Sequence, residues 1–170
     1  MSHLEDTLIV RKAEYADIRV IRTLAHAIWP GTYGEILPEG QMDYMLKIFY
    51  TDEAIKKQMK EGHEFLIVEV NAEAVGFASY SHSDRAGVYT VHKLYVLEAV
   101  QGKGIGTHLL NDILERIRPA HPKELQLYVY RLNPAKEFYE KKGFKVLKEV
   151  EEPIGEGYFV RDYVMVKQLR

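Results

Sequence analysis

The chain contains no cysteine, which excludes disulfide frameworks, thiolate nucleophiles and cysteine-ligated zinc or iron–sulfur sites. It also lacks any apolar run of membrane-spanning length, and its opening residues, Met1-Ser2-His3-Leu4-Glu5-Asp6, carry no apolar signal segment. Nor does charge of one sign dominate. The 23 Lys and Arg against 25 Asp and Glu leave a formal charge of −2, so no global attraction to nucleic acid or to an anionic membrane operates. Internal repeats and low-complexity tracts are missing too. A soluble, cytoplasmic protein is the expectation. With 170 residues, 46% hydrophobic and 28% charged, the chain is long enough to bury a proper core, and residues 1–170 are expected to form one domain.

What is there is concentrated in one stretch, Val100-Gln101-Gly102-Lys103-Gly104-Ile105-Gly106-Thr107-His108-Leu109-Leu110. Before it, Val91-His92-Lys93-Leu94-Tyr95-Val96 is rich in branched and aromatic residues and reads as a strand. After it, Leu109, Leu110, Ile113, Leu114 and Ile117 recur at helical spacing. A strand that turns into a helix through Gly102, Gly104 and Gly106 leaves backbone N–H groups free at the helix start. The helix dipole adds positive charge there and glycine permits close approach, so the loop suits a pyrophosphate, with Lys103 as a mobile cation. It is neither of two better-known glycine loops. The dinucleotide fingerprint needs its third glycine one residue later, and the P-loop needs glycines further apart followed by Lys and Ser or Thr.

Elsewhere, Leu8–Arg11 reads as a short strand, followed by a helix from Asp17 with Ile18, Ile21, Leu24, Ala25 and Ile28 in one stripe. Trp29-Pro30-Gly31-Thr32-Tyr33-Gly34 is expected to break that helix. Further helices are expected over roughly Pro38–Phe49 and Asp52–Glu61, the latter capped by Thr51 or Asp52 and ended by Gly62. Phe65–Val70 and Ala74–Tyr80 form a hairpin pattern, and Glu124–Tyr130 a fifth strand. Asn133-Pro134 opens a short helix closed by Gly143. Phe144–Val150 and Tyr158–Val166 finish as strands around a connection containing Pro153, Gly155 and Gly157.

Gln101-x-x-Gly104-x-Gly106 resembles the acyl-CoA pyrophosphate loop of the GNAT superfamily of N-acetyltransferases. The order of elements is similar to that family over nearly the whole chain. Asn133-Pro134-Ala135-Lys136-Glu137-Phe138-Tyr139-Glu140-Lys141-Lys142-Gly143-Phe144 resembles its second motif of Asn, Ala, Phe-Tyr and Gly-Phe. The resemblance implies an α+β fold in α/β/α layers. Its mixed, mostly antiparallel sheet of about seven strands is splayed between the fourth and fifth and flanked by helices.

For function, the resemblance implies acetyl-CoA as cosubstrate, no metal, and transfer of the acetyl group to a primary amine by direct attack in a ternary complex. Leu94, Tyr95 and Val96 would pair with the pantetheine arm. The N–H groups of Gly102, Lys103, Gly104, Ile105, Gly106 and Thr107, within the segment from Gln101 to Thr107, would hold the pyrophosphate. The backbone N–H of Val96 would meet the developing oxyanion. Tyr139 is the candidate general acid, since a phenol with a pKa near ~10 is protonated at neutral pH; packing beside Phe138 and Phe144 is its other role. Asn133 would contact the cofactor's amide region or cap a helix before Pro134.

Many relatives place a glutamate base on the fourth or fifth strand, but the corresponding stretches here, Val88-Tyr89-Thr90-Val91-His92 and Leu125-Gln126-Leu127-Tyr128, hold no carboxylate. Period-two alternation puts Thr90, His92, Leu94 and Val96 on one face, making His92 a candidate proton acceptor, directly or through water, alongside an ordinary strand role. Glu98 lies in the bend, and Tyr33 and Glu35 are weaker candidates for the acceptor pocket. Glu149, Glu151, Glu152 and Glu156 form either a solvated acidic segment or a concentration of negative charge that would attract a cationic acceptor such as a polyamine or a lysine side chain. Together with a loose similarity to members acting on spermidine-like amines, this favours a small-molecule amine such as a polyamine over a protein or peptide amine. A GNAT-fold acyl-CoA sensor without turnover is the other reading. Neither nucleic acid nor membrane is expected as a partner, and a homodimer is an assembly that the resemblance allows.

Overall fold

The computed structural model describes residues 6–170. Seven strands form one sheet in the order β1-β2-β3-β4-β5-β7-β6. They are β1 (Leu8–Lys12), β2 (Glu64–Val70), β3 (Glu73–His82), β4 (Val88–Val96), β5 (Glu124–Tyr130), β6 (Lys145–Gly155) and β7 (Tyr158–Gln168). All neighbours are antiparallel except β4 and β5. The helices are α1 (Ile18–Tyr33), α2 (Gln41–Phe49), α3 (Asp52–Lys60), α4 (Ile105–Ile117) and α5 (Ala135–Lys141).

The sheet is packed on both faces, giving the expected layers. On one face, α4 presents Leu109, Leu110, Ile113 and Ile117 to Leu66, Val68, Val91 and Leu127, with Phe144 and Tyr139 completing this core. On the other, α1 presents Ile21, Leu24, Ala25 and Ile28 to Phe65, Ile67 and Phe77, with Ile55 of α3 and Leu46 of α2 alongside. Thr51 caps α3, its hydroxyl accepting from the Ala54 N–H at 3.1 Å.

The expected helix break at Trp29 does not occur. α1 runs through Pro30 and Gly31 to Tyr33. Pro30 removes one helical hydrogen bond and crowds the preceding turn, at a cost of about 3 kcal/mol. Burying the Trp29 and Tyr33 side chains offsets that cost at about 1.5–3 kcal/mol each, and the Gly34 N–H closes the turn on the Pro30 carbonyl at 2.9 Å. Two boundaries also differ from expectation. α2 begins at Gln41 rather than Pro38, because Gly40 turns the chain at a φ of 81°. β6 continues to Gly155, so Glu151 and Glu152 stand on a strand and not in a loop.

β4 and β5 pair only from Val88↔Glu124 to Val91↔Leu127 and then part, which is the expected splay. Its local cause lies on the other edge of β4. The β3–β4 register jumps between Ser79↔Lys93 and Tyr80↔Val91, leaving His92 as an extra residue. Such a bulge bends and twists its strand, and this one follows directly after the last β4–β5 pair.

Candidate active site

The glycine loop has the geometry of an anion cradle. Gly102 and Gly104 adopt φ values of 83° and 77°, which side chains rarely tolerate, and a Cβ on either would point into open space. Gly106 differs: it is helical, and a Cβ there would lie 3.5 Å from Phe138 Cζ. Ile105 is buried and anchors the first turn of α4, where no acidic side chain stands. Among the described residues, the N–H groups of Gly102, Lys103, Gly104, Ile105, Gly106 and Thr107 have no protein acceptor; the first bond of the ladder runs from His108 to the Gly104 carbonyl. The Gln101 side chain donates to the Val96 carbonyl at 3.1 Å, tying the loop to the end of β4.

From the loop a cleft of about 650 Å³ runs into the gap between β4 and β5, with α1 and α5 as its other walls. The main chain of β4 is aimed into it. The Leu97 N–H bonds to Val75 across β3, and because an antiparallel ladder alternates, Leu94 and Val96 direct their N–H and C=O groups to the opposite side, where β5 has departed. Gly76, opposite Val96, permits close strand approach: a Cβ there would lie 2.7 Å from the Tyr95 carbonyl oxygen. Glu98 lies over α1, its carboxylate 3.1 Å from where a Gly31 Cβ would stand.

Tyr139 is buried among Phe138 and Phe144 and lines the same cleft. Burial, reinforced by the nearby Tyr33, pushes its phenol up, so it holds its proton. Its hydroxyl has no hydrogen-bond partner among the described residues. The Asn133 Oδ1 accepts from the Ala135 N–H at 2.9 Å, in the turn before α5, whose N-cap is Pro134, and Asn133 also lines the cleft. The Tyr33 and Tyr95 hydroxyls are joined at 2.9 Å. Burial pushes Tyr33 up to about 12 despite that bond. Glu35 is exposed and outside both cavities.

A second cavity, of about 570 Å³, shares Tyr33, Lys93 and Tyr95 with the first and lies between α1, α2 and the β6–β7 hairpin. The hairpin is tethered over it: the Gln41 side chain donates to the Phe159 carbonyl at 2.7 Å, and the Tyr44 hydroxyl to the Ile154 carbonyl at 2.5 Å.

His92 does not share a face with Leu94 and Val96. The bulge turns it to the side of Lys93, where its ring stacks on His63 at 4.0 Å and 3°. Val91 and Val96, five positions apart, then belong to one core, which unbroken alternation forbids. His92 lines both cavities, with its Nε2 and the Ser81 hydroxyl hydrogen-bonded at 2.7 Å, and its surroundings, with His63 and Lys93, push its pKa down. The acidic residues of β6 are not gathered at the cavity either. Glu149 is exposed and Glu151 pairs with Arg161 at 3.0 Å, leaving Glu152 on the cavity wall.

The stretches Val88–His92 of β4 and Leu125–Tyr128 of β5 hold no carboxylate, but β7 brings one to the second cavity. Asp162, opposite Tyr130 in the β5–β7 ladder, lines the second cavity. Burial and then Glu152 push it up to about 6. Nothing in the local sequence Arg161-Asp162-Tyr163 marks it; only strand order brings β7 beside β5. Among the described residues, no cluster of His, Asp and Glu suited to a metal ion occurs, and no helix is long and apolar enough to cross a membrane.

Comparison with known proteins agrees with this geometry. An uncharacterized N-acetyltransferase of Archaeoglobus fulgidus is 35% identical over 80 residues, 44% of this chain and 54% of that protein. The chain thus spans about half the length of this curated relative. In fold, the chain is similar to the PaiA N-acetyltransferase of Thermoplasma acidophilum, solved with coenzyme A (TM-score 0.78, 24% identity, 95% of this chain and 99% of that one). It is also similar to a GCN5-related N-acetyltransferase of Rhodopseudomonas palustris (TM-score 0.81, 18% identity, 99% and 100%). The model of the acetyltransferase (GNAT) domain matches residues 36–164, which include the unpartnered N–H run, the splayed strands and the Asn133–Phe144 segment, and the chain therefore belongs to the GNAT acetyltransferase family.

Proposed function

We propose that this protein is an acetyl-CoA-dependent N-acetyltransferase whose acceptor is the primary amine of a small molecule. The observation that carries the reading is the run of unpartnered N–H groups from Gly102 to Thr107, opening on a cleft that leads past Val96 to a second, titratable cavity. These residues fit a pyrophosphate, because the positive φ of Gly102 and Gly104 leaves open the space that an anion needs. Acetyl-CoA supplies the activated thioester. Leu94 and Val96 are placed to pair with an extended arm lying in the strand gap, and Asn133 lines the same path.

In this reading, the Val96 N–H donates to the acyl oxygen as negative charge develops on it. Asp162 accepts the proton of the attacking amine, directly or through water, since a carboxylate near 6 is mostly ionised at neutral pH yet still basic. Tyr139 returns a proton to the departing sulfur. Asp162 is favoured over His92 for this step because the His92 Nε2 is hydrogen-bonded to the Ser81 hydroxyl and its ring is stacked on His63.

The β6–β7 hairpin, tethered to α2, walls one side of the second cavity, which supports a small acceptor over a peptide. Glu152 and Asp162 on its wall support a polyamine as a second reading. The test is acceptor-dependent release of thiol from acetyl-CoA over amines, amino acids and N-terminal peptides. Coenzyme A binding with no acceptor-dependent release from any of them would identify a sensor instead.

A further inference from the structure

Lys93 lines the second cavity without an ion-pair partner. Among the residues lining that cavity it is the only lysine or arginine, and among the described residues it forms no ion pair. Placing an ammonium in such a site is costly unless something meets it. What meets it within the protein is neutral. Its Nζ donates to Gln58 Oε1 at 2.8 Å and stands 5.5 Å from the ring centroids of both Tyr50 and Phe65. A lysine ammonium has three donors, so this clamp fixes the group and leaves donors for a ligand. Burial pushes Lys93 down to about 8, which keeps it mostly charged at pH 7. The stacked His63 and His92 beside it are both held neutral, in part by its charge.

The same lining carries the other sign, in Asp162 of β7 and Glu152 of β6, with β5 between β7 and the strand of Lys93. A cavity lined by a fixed cation and by carboxylates on other strands complements a molecule bearing both charges. A polyamine would satisfy only the carboxylates and would be repelled by Lys93.

Building on the transferase reading above, we propose that the acceptor is an amino acid-like molecule, a primary amine that also carries a carboxylate, and that Lys93 binds that carboxylate. The amine then lies toward Asp162, and the acid group selects the acceptor without taking part in acyl transfer.

The experiment pairs α- and ω-amino acids with their decarboxylated amines and carboxamides, with spermidine included. It reads kcat and KM separately in the wild-type protein and in Lys93→Met and Lys93→Arg. A hydrogen-bonded charge pair predicts a preference of about ten- to a hundredfold for the carboxylate member, expressed in KM. Lys93→Met should bring that ratio close to one, and Lys93→Arg should retain part of it. A wild-type ratio near one, a preference for spermidine, or an unchanged ratio in Lys93→Met overturns the proposal.

Calorimetry with N-acetyl amino acids and their decarboxylated counterparts, in the presence of coenzyme A, reads the same subsite without turnover. Carboxylate-dependent binding that Lys93→Met abolishes, in a protein that releases no thiol, would overturn the transferase reading and uphold the subsite. Absence of the preference from the wild-type protein in both assays overturns the subsite. A thermal melt of each variant separates either result from misfolding.

Discussion

The two cavities share Tyr33, Lys93 and Tyr95 as walls, yet they are built from different material. The donor side is made of main chain: free N–H groups at the head of α4, and the edge of β4 exposed where β5 departs. The acceptor side is made of side chains from distant elements, with Gln58 of α3, Lys93 of β4, Glu152 of β6 and Asp162 of β7 meeting across one space. Backbone can serve a donor common to a family, because every residue supplies the same N–H. Side chains set the identity of the acceptor.

That contrast breaks most sharply at Gly104. Gly104→Glu puts bulk and negative charge in the cradle at a φ of 77°, and it should weaken coenzyme A binding to a Kd beyond about 1 mM by calorimetry. The fold should survive, since the strain is worth only about 1–2 kcal/mol. Tyr139→Phe comes next. Removing the general acid should lower kcat about a hundredfold with the KM for acetyl-CoA nearly unchanged; equal turnover would remove Tyr139 from that role.

Asp162→Asn tests the acceptor side. Activity of the wild type should rise with pH through about 6 as Asp162 ionises, and the variant should lose about tenfold in kcat/KM together with that limb. Stability should move the other way. The folded state holds the Asp162 proton more tightly than the unfolded state, so stability falls as pH rises from the ordinary carboxylate range through about 6. At pH 7 the asparagine variant should therefore be more stable, by about 1–2 kcal/mol in denaturant unfolding. The smallest effect separates two glycines of the loop. Gly104→Ala should cost about 1 kcal/mol for its positive φ, whereas Gly106→Ala, helical and in ordinary contact with Phe138, should be close to neutral.

Legibility followed the same division. The cradle, the α4 stripe and the Asn133–Phe144 helix could be read because their causes are local: spacing, capping and the conformational freedom of glycine. Gly76 could not, because its reason is the Tyr95 carbonyl on the neighbouring strand. The face of His92 was misassigned because a bulge arises from how β3 pairs with β4, and one extra residue reverses the side of every residue beyond it. The helix through Pro30 was missed because the penalty is local and the compensating burial of Trp29 and Tyr33 is not.

The order of strands and helices and the glycine loop rest on periodicity and on motifs read within a dozen residues, and the resemblance they carry to the GNAT superfamily implies the layered α+β architecture. Only the tertiary structure decided where β4 leaves β5, which way His92 turns, and that Asp162 and Lys93 line one cavity. Those outcomes depend on strand order and register, which join residues far apart in the chain through contacts that no local pattern encodes.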